Sequence, residues 1–244
     1  MRIAICSAKQ INGDIYTNLR TMEDMVYKAH ESQADIIVFG EAFLQGFDGI
    51  SLENYEADLA LSLTDLDDPI FRVKMMAVGY DLAIGFGYYE RSKGNIYSSY
   101  LVIDKDGEIL TNYRRMSEGW KEKKASDKYQ EGKSLEVFEF MNTKMIVGIC
   151  GDFWSDEILN HLSAFEYDLV LWPNFNNYTP QQWMNQELGA YRDQCQKIGR
   201  EVIWINSINP DPQMPAYGGN FYVIDGKFVV NHPMELAVIS IIDR

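Results

Sequence analysis

The sequence predicts an α/β protein in which short buried strands alternate with amphipathic helices. Three observations carry that expectation. Two continuous apolar runs, ADIIVFG at 34–40 and MIVGIC at 145–150, mark strands covered on both faces. Ahead of the first run, Leu19, Met22, Met25, Val26 and Ala29 fall at helical spacing. Asp106-Gly107 and Asp225-Gly226 are hairpin turns between apolar segments. Helices early and hairpins late point to mixed sheets, with helices over one face of each sheet.

Each element has its own signal. Arg2–Ala8 reads as the first strand, and Asn12-Gly13-Asp14 is turn chemistry. A helix runs from about Tyr16 to Ser32, and Ala34–Gly40 is the second strand. Residues 68–80 read as a helix. Leu82–Tyr89, Ile96–Ile103 and Glu108–Tyr113 read as successive strands. Residues 114–133 are polar, Lys-rich and without pattern, so they form a long loop, a kind that is often functional. Then come a strand at Met145–Cys150, a helix at Asp156–Phe165, a strand at Asp168–Trp172 and a helix at Pro180–Gly199. Val202–Ser207, Phe221–Asp225, Lys227–Val230 and Leu236–Ile241 complete the strands.

At 244 residues the chain can bury a large core, and one domain over 1–244 is the expected organisation. The net charge of −14 argues against a nucleic-acid or anionic-membrane surface, which needs clustered Lys and Arg. It leaves small-molecule chemistry open, because a basic pocket can sit in an acidic surface. No stretch approaches the roughly 20 apolar residues of a membrane span. The opening MRIAICSAKQ does not read as a secretion signal. Three cysteines, Cys6, Cys150 and Cys195, are an odd and sparse set, which points to free thiols in the cytoplasm.

Three scattered histidines, His30, His161 and His232, and no CxxC pair give no metal-ligand spacing. Neither GxGxxG, a P-loop nor GxSxG is present, and Gly85-Phe86-Gly87 reads as strand packing. Cys150 stands apart. It ends a buried strand and precedes Gly151-Asp152 and a helix, and such strand ends face the usual ligand crevice of α/β sheets. A helix N-terminus there would favour the thiolate, and the following N–H groups, Gly151 first, could hold an oxyanion. An inert buried cysteine is the ordinary alternative, and it is the reading for Cys6 and Cys195. Glu41 follows ADIIVFG directly, where a carboxylate can have a raised pKa and act as a general base. Capping or simple solvation would explain Glu41 alone; the pair together points to chemistry.

The chain resembles the nitrilase superfamily of carbon–nitrogen hydrolases, in its amidase-like branch. The likeness rests on Gly13-Asp14 to Asn18, on ADIIVFGEAFLQGF, and on Asp106-Gly107-Glu108-Ile109 with Tyr113-Arg114-Arg115. Val147-Gly148-Ile149-Cys150-Gly151-Asp152 and Gly218-Gly219 complete it, and the segments occur in family order. The resemblance implies a four-layer αββα sandwich with mixed sheets and a Glu–Lys–Cys triad without cofactor. Glutamate takes the thiol proton, the sulfur attacks a carbonyl or nitrile carbon, and water hydrolyses the acyl-enzyme. The implied activity is cleavage of a non-peptide C–N bond in a small amide through a Cys150 thioester. A nitrile or N-carbamoyl substrate would use the same residues.

Two positions depart from the family pattern. Gly40 stands where proline is usual, a change expected to affect backbone stiffness. Arg115 stands where lysine ends the Tyr-Arg-Lys segment. It keeps the charge but is planar and gives up no proton. Arg115 takes the lysine's role, or Lys121 reaches in from the loop, or the site is impaired and the protein binds without catalysing. Acyl transfer to another acceptor is a further alternative. By family analogy a second glutamate joins the triad, with Glu118 the first choice and Glu122 the second. Trp120, Trp154, Trp172, Asn174 and Phe175 are expected to border the acyl pocket. The resemblance also implies a homodimer or a higher homo-oligomer.

Overall fold

The computed structural model describes residues 1–64, 68–121 and 125–244. Strand β1 (Arg2–Ser7) leads to helix α1 (Ile15–Glu31), whose first turn is capped by the Asp14 carboxylate accepting from Thr17 N at 3.0 Å. Next come β2 (Ile36–Val38), α2 (Asp68–Tyr80), β3 (Ala83–Ser92), β4 (Asn95–Ile103) and β5 (Ile109–Arg114). The second half holds β6 (Val137–Phe140), β7 (Thr143–Val147), α3 (Asp156–Leu162), β8 (Leu169–Asn174), α4 (Pro180–Gln182) and α5 (Leu188–Ile198). A π-helical turn joins α4 to α5. The chain closes with β9 (Glu201–Asn206), β10 (Ile208–Asn209), β11 (Ala216–Tyr217), β12 (Asn220–Ile224), β13 (Lys227–His232) and β14 (Val238–Asp243).

These strands form two mixed six-stranded sheets, ordered β14-β1-β2-β3-β4-β5 and β13-β12-β9-β8-β7-β6, and β10 pairs with β11 separately. In each sheet three adjacent strands are parallel: β1, β2 and β3 in the first, β7, β8 and β9 in the second. Their flanking partners are antiparallel.

Period-two alternation builds the layers. In the first sheet Ile3, Ile5, Ile36 and Val38 face the second sheet and pack with Met145, Val147, Leu169 and Leu171. Their neighbours Ala4, Cys6, Ile37 and Phe39 face outward onto Leu19, Met22, Val26 and Ala29 of α1. α3 and α5 pack on the far side of the second sheet through Ile158, Leu162, Tyr191 and Ile198. The result is the expected αββα sandwich. Each fully buried Leu, Ile or Phe contributes about 1.5–3 kcal/mol, so strands covered on both faces hold the layers together.

Three local readings differ from the structure. Short edge strand β6 has no counterpart in the expected elements. It is joined to β7 by Met141-Asn142, both at positive φ (49° and 58°), a turn without the glycine that usually marks one. The strand expected to end at Cys150 ends at Val147, and a 3₁₀ turn over Cys150–Trp154 comes before α3. The hairpin at Asp106-Gly107 forms with a longer loop, in which the Asp104 carboxylate accepts from the N–H groups of Asp106 and Glu108. Among the described residues, no helix is long and apolar enough to cross a membrane.

Candidate active site

Four chain segments leave the strands at one end of the sandwich and meet. Glu41 lies three residues beyond β2, Arg115 directly after β5, Cys150 three residues beyond β7, and Phe175 directly after β8. Glycines allow the approach. A Cβ on Gly87 would stand 2.3 Å from Ala42 N and 2.8 Å from Glu41 Cα, so β3 passes beneath the glutamate turn only as glycine. A Cβ on Gly40 would stand 2.5 Å from Ser207 Oγ. Gly40 therefore also answers to space between the sheets.

Glu41 is fully buried and both carboxylate oxygens are engaged. Oε1 accepts from Arg115 Nη1 at 2.7 Å, and Oε2 accepts from Phe175 N at 3.1 Å. Its own N–H donates to Asn174 O. Burial pushes the Glu41 pKa above the usual carboxylate range, and the Arg115 charge opposes that push. Arg115 is buried as well, with Nε donating to Ser117 Oγ at 2.8 Å. Burial alone would lower its pKa, but Glu41, Cys150 and Asp152 more than offset this, so the guanidinium is locked in its charged form.

Cys150 has φ +45°, in the left-handed region that costs a non-glycine residue about 1–2 kcal/mol. Such strain gathers at functional turns. Its carbonyl accepts from Trp172 Nε1 at 2.8 Å. The residue is partly exposed, unlike Cys6 and Cys195, which are sealed in the core. The thiol pKa is pushed up to about 12, first by burial and next by the Glu41 charge; Arg115 and the Phe175 N–H act in the opposite direction. This corrects the expectation of a helix-stabilised thiolate. The helix that follows starts only at Asp156, so burial and the Glu41 charge act against the thiolate with no helix end beside the sulfur to oppose them.

Asp152 brings two of these segments into register. Its buried carboxylate accepts from Ile149 N (2.8 Å), Met116 N (3.1 Å), Ser117 N (2.7 Å) and the Tyr113 hydroxyl (2.7 Å). It orients backbone, and its contacts span from β5 to the cysteine turn. Gly148 leaves room for the Phe153 ring, which a Cβ would meet at 2.2 Å.

The remaining expected residues are placed differently. Lys121 does not reach the site: its ammonium donates to Tyr129 O at 2.6 Å and pairs with Glu131 at 2.7 Å. Glu118 is exposed, on a surface groove with Ser117, Lys133 and His161. Glu122 lies outside the described residues. Trp172 does not line a pocket wall. It is fully buried beneath the cysteine turn, against Phe153, Trp154 and Tyr191. Asn174 contributes its carbonyl to Glu41, while its amide donates to Trp172 O at 2.7 Å. Trp120 is buried and packs with Tyr89 and Tyr129. Phe175 stacks on Phe47 at 4.5 Å and 1°, forming an aromatic wall beside Glu41. Phe47 was missed, and its place within AFLQGF two residues after Gln45 was the only available hint.

The comparisons with known proteins agree with this architecture. The carbon–nitrogen hydrolase family model matches residues 2–198. Over 243 residues the chain is 24% identical to a glutamine-dependent NAD(+) synthetase of Acinetobacter baylyi, covering 97% of this chain and 41% of the relative. It is 26% identical over 172 residues to an N-carbamoylputrescine amidase of Solanum lycopersicum, covering 69% of this chain and 56% of the relative. The chain thus spans about half the length of these curated relatives. A solved amidase from Nesterenkonia sp. AN1, a glutamate-to-glutamine variant with acrylamide added to its active-site cysteine, superposes with a TM-score of 0.83. That match is at 18% identity and covers 100% of this chain and 93% of the other.

Proposed function

The chain belongs to the carbon–nitrogen hydrolase family, and we propose that residues 1–244 act as one hydrolase domain cleaving the C–N bond of a small amide. The observation that carries this reading is the convergence on Arg115, whose Nη1 donates to the Glu41 carboxylate while its Nη2 lies against Gly151, the residue after Cys150. On this reading Glu41 is the base for the Cys150 thiol, and the Arg115 cation on one carboxylate oxygen supports it.

In the proposed reaction Glu41 accepts the thiol proton as sulfur attacks the carbonyl carbon. Arg115 and the N–H groups after Cys150, that of Gly151 first, hold the developing oxyanion. The C–N bond breaks, the proton passes from Glu41 to the leaving nitrogen, and ammonia or an amine departs. Glu41 then takes a proton from water, which attacks the Cys150 thioester; the C–S bond breaks, the acid leaves, and the proton on Glu41 returns to the sulfur. Burial and the Glu41 charge both oppose ionisation of the thiol, so its proton leaves as part of the attack step. The three unpaired cysteines accord with a reducing, cytoplasmic setting. Trp154 and Phe165, both exposed, offer apolar surface for a second copy of the chain around α3.

The test is a screen of purified protein against small amides, N-carbamoyl amino acids and nitriles, with release of ammonia, amine and acid followed. Cys150→Ala is expected to lose at least about 10³-fold in rate. Full turnover by that variant would refute Cys150 as the nucleophile.

A further inference from the structure

Arginine in place of the family's lysine is matched by its surroundings. Nη1 of Arg115 is held by Glu41 and Nε by Ser117 Oγ, so the guanidinium plane is pinned at two atoms. The third nitrogen, Nη2, lies against two glycines. A Cβ on Gly151 would stand 2.8 Å from Nη2 and 3.0 Å from Ser117 Oγ; a Cβ on Gly119 would stand 3.0 Å from Nη2. Neither glycine has a left-handed φ, so backbone freedom does not explain them. Space does. A loose arginine tip could swing away from an added methyl at little cost, but this one is tied to a buried carboxylate and to Ser117.

We propose that Gly151, Gly119 and Ser117 are positioning residues that fit this site to a guanidinium, so that lysine cannot take the place of Arg115. Lysine offers a single nitrogen on a flexible stem. It could reach Glu41, but it would leave Ser117 without its Nε donor and the space beside Gly151 unfilled. The guanidinium instead brings Nη2, which among the described residues makes no hydrogen bond, beside the residue that follows the nucleophile. That N–H is a donor for an oxyanion, or for a substrate oxygen, next to Cys150. Its charge also persists at every pH at which the protein is folded.

The inference rests on Cys150 as the nucleophile, and its test needs no substrate. Alkylation of Cys150 by iodoacetamide is followed across pH in the native protein, Arg115→Lys, Gly151→Ala and the double variant. Gly151→Ala is expected to slow alkylation at least roughly tenfold in the arginine background and less than about threefold in the lysine background, the coupling expected of groups in contact. Its rate profile shifts to higher pH in the arginine background, because the cation is displaced from the sulfur. Arg115→Lys alone is slower than the native protein. Equal factors in both backgrounds, or an Arg115→Lys protein alkylated at the native rate, would overturn the inference. If Gly151→Ala does not fold while the double variant does, the same coupling is read in stability and supports it. If neither folds, Gly119→Ala carries the same cycle with the same criteria. A failed amide screen would count against the proposed reaction and not against the guanidinium fit, since the alkylation cycle reads the sulfur directly.

Discussion

Glu41 and Cys150 leave parallel strands of different sheets through similar turns, yet one strand end is sealed and the other is open. Each turn contains one non-glycine residue at positive φ. Beyond β2 it is Ala42 (φ 49°), the neighbour of the glutamate; beyond β7 it is Cys150 itself (φ 45°). The base therefore sits on unstrained backbone and is braced from the opposite sheet by Phe175 N and Asn174 O. The nucleophile carries the strain itself, and its turn is braced by Asp152 and Trp172. The base is held in one place with a pKa above the usual carboxylate range, while the cysteine residue is only partly buried.

Substitutions at the two ends should separate these roles. The largest effect is expected at the sealed end: Glu41→Gln keeps the shape but removes the base, lowering the rate of amide hydrolysis by about 10²–10⁴-fold. Retained activity would leave the sealed end with a structural role only. A smaller effect is expected at the open end's brace. Asp152→Asn turns one acceptor oxygen into a donor facing N–H and O–H groups. It should cost about 1–3 kcal/mol in denaturant unfolding. As the cysteine turn shifts, activity should fall by about ten- to a hundredfold. A variant that loses stability but keeps full activity would show that the turn needs no such brace. The smallest effect is expected at Lys121→Ala. Its partly exposed pair with Glu131 contributes at most about 1 kcal/mol, and activity should stay within about threefold. A large loss of rate there would bring Lys121 back as a site cation.

The sandwich was legible in the sequence because Ile36–Phe39 and Met145–Ile149 are unbroken runs of buried residues without a polar side chain, as strands between two layers require. The alternation of Ile3, Ala4, Ile5 and Cys6 divides two cores in the same way. The pairing of Glu41 with a cation was legible through family order, which brought out Arg115. The left-handed turn at Cys150 was not, because a positive φ at a cysteine leaves no mark in the residue type itself. β6 was missed because four residues at a sheet edge show too little pattern. The Lys121 partner, Glu131, lay in a loop whose fold is set by contacts such as Lys121 to Tyr129 O, which spacing alone cannot reveal. The thiol pKa was misjudged because burial and a neighbouring carboxylate outweigh the effect of a short 3₁₀ turn.

The most direct test compares iodoacetamide alkylation of Cys150 in the native protein and in Glu41→Gln from pH 4 to pH 10, spans chosen around the usual glutamate and cysteine pKa values of about 4.3 and 8.5. A general base works only when ionised, so the native rate should fall on the acid side through the raised Glu41 pKa, at a pH above about 4.3. In Glu41→Gln that limb should vanish, leaving only the rise set by ionisation of the thiol. Superimposable profiles would mean that Glu41 does not take the Cys150 proton.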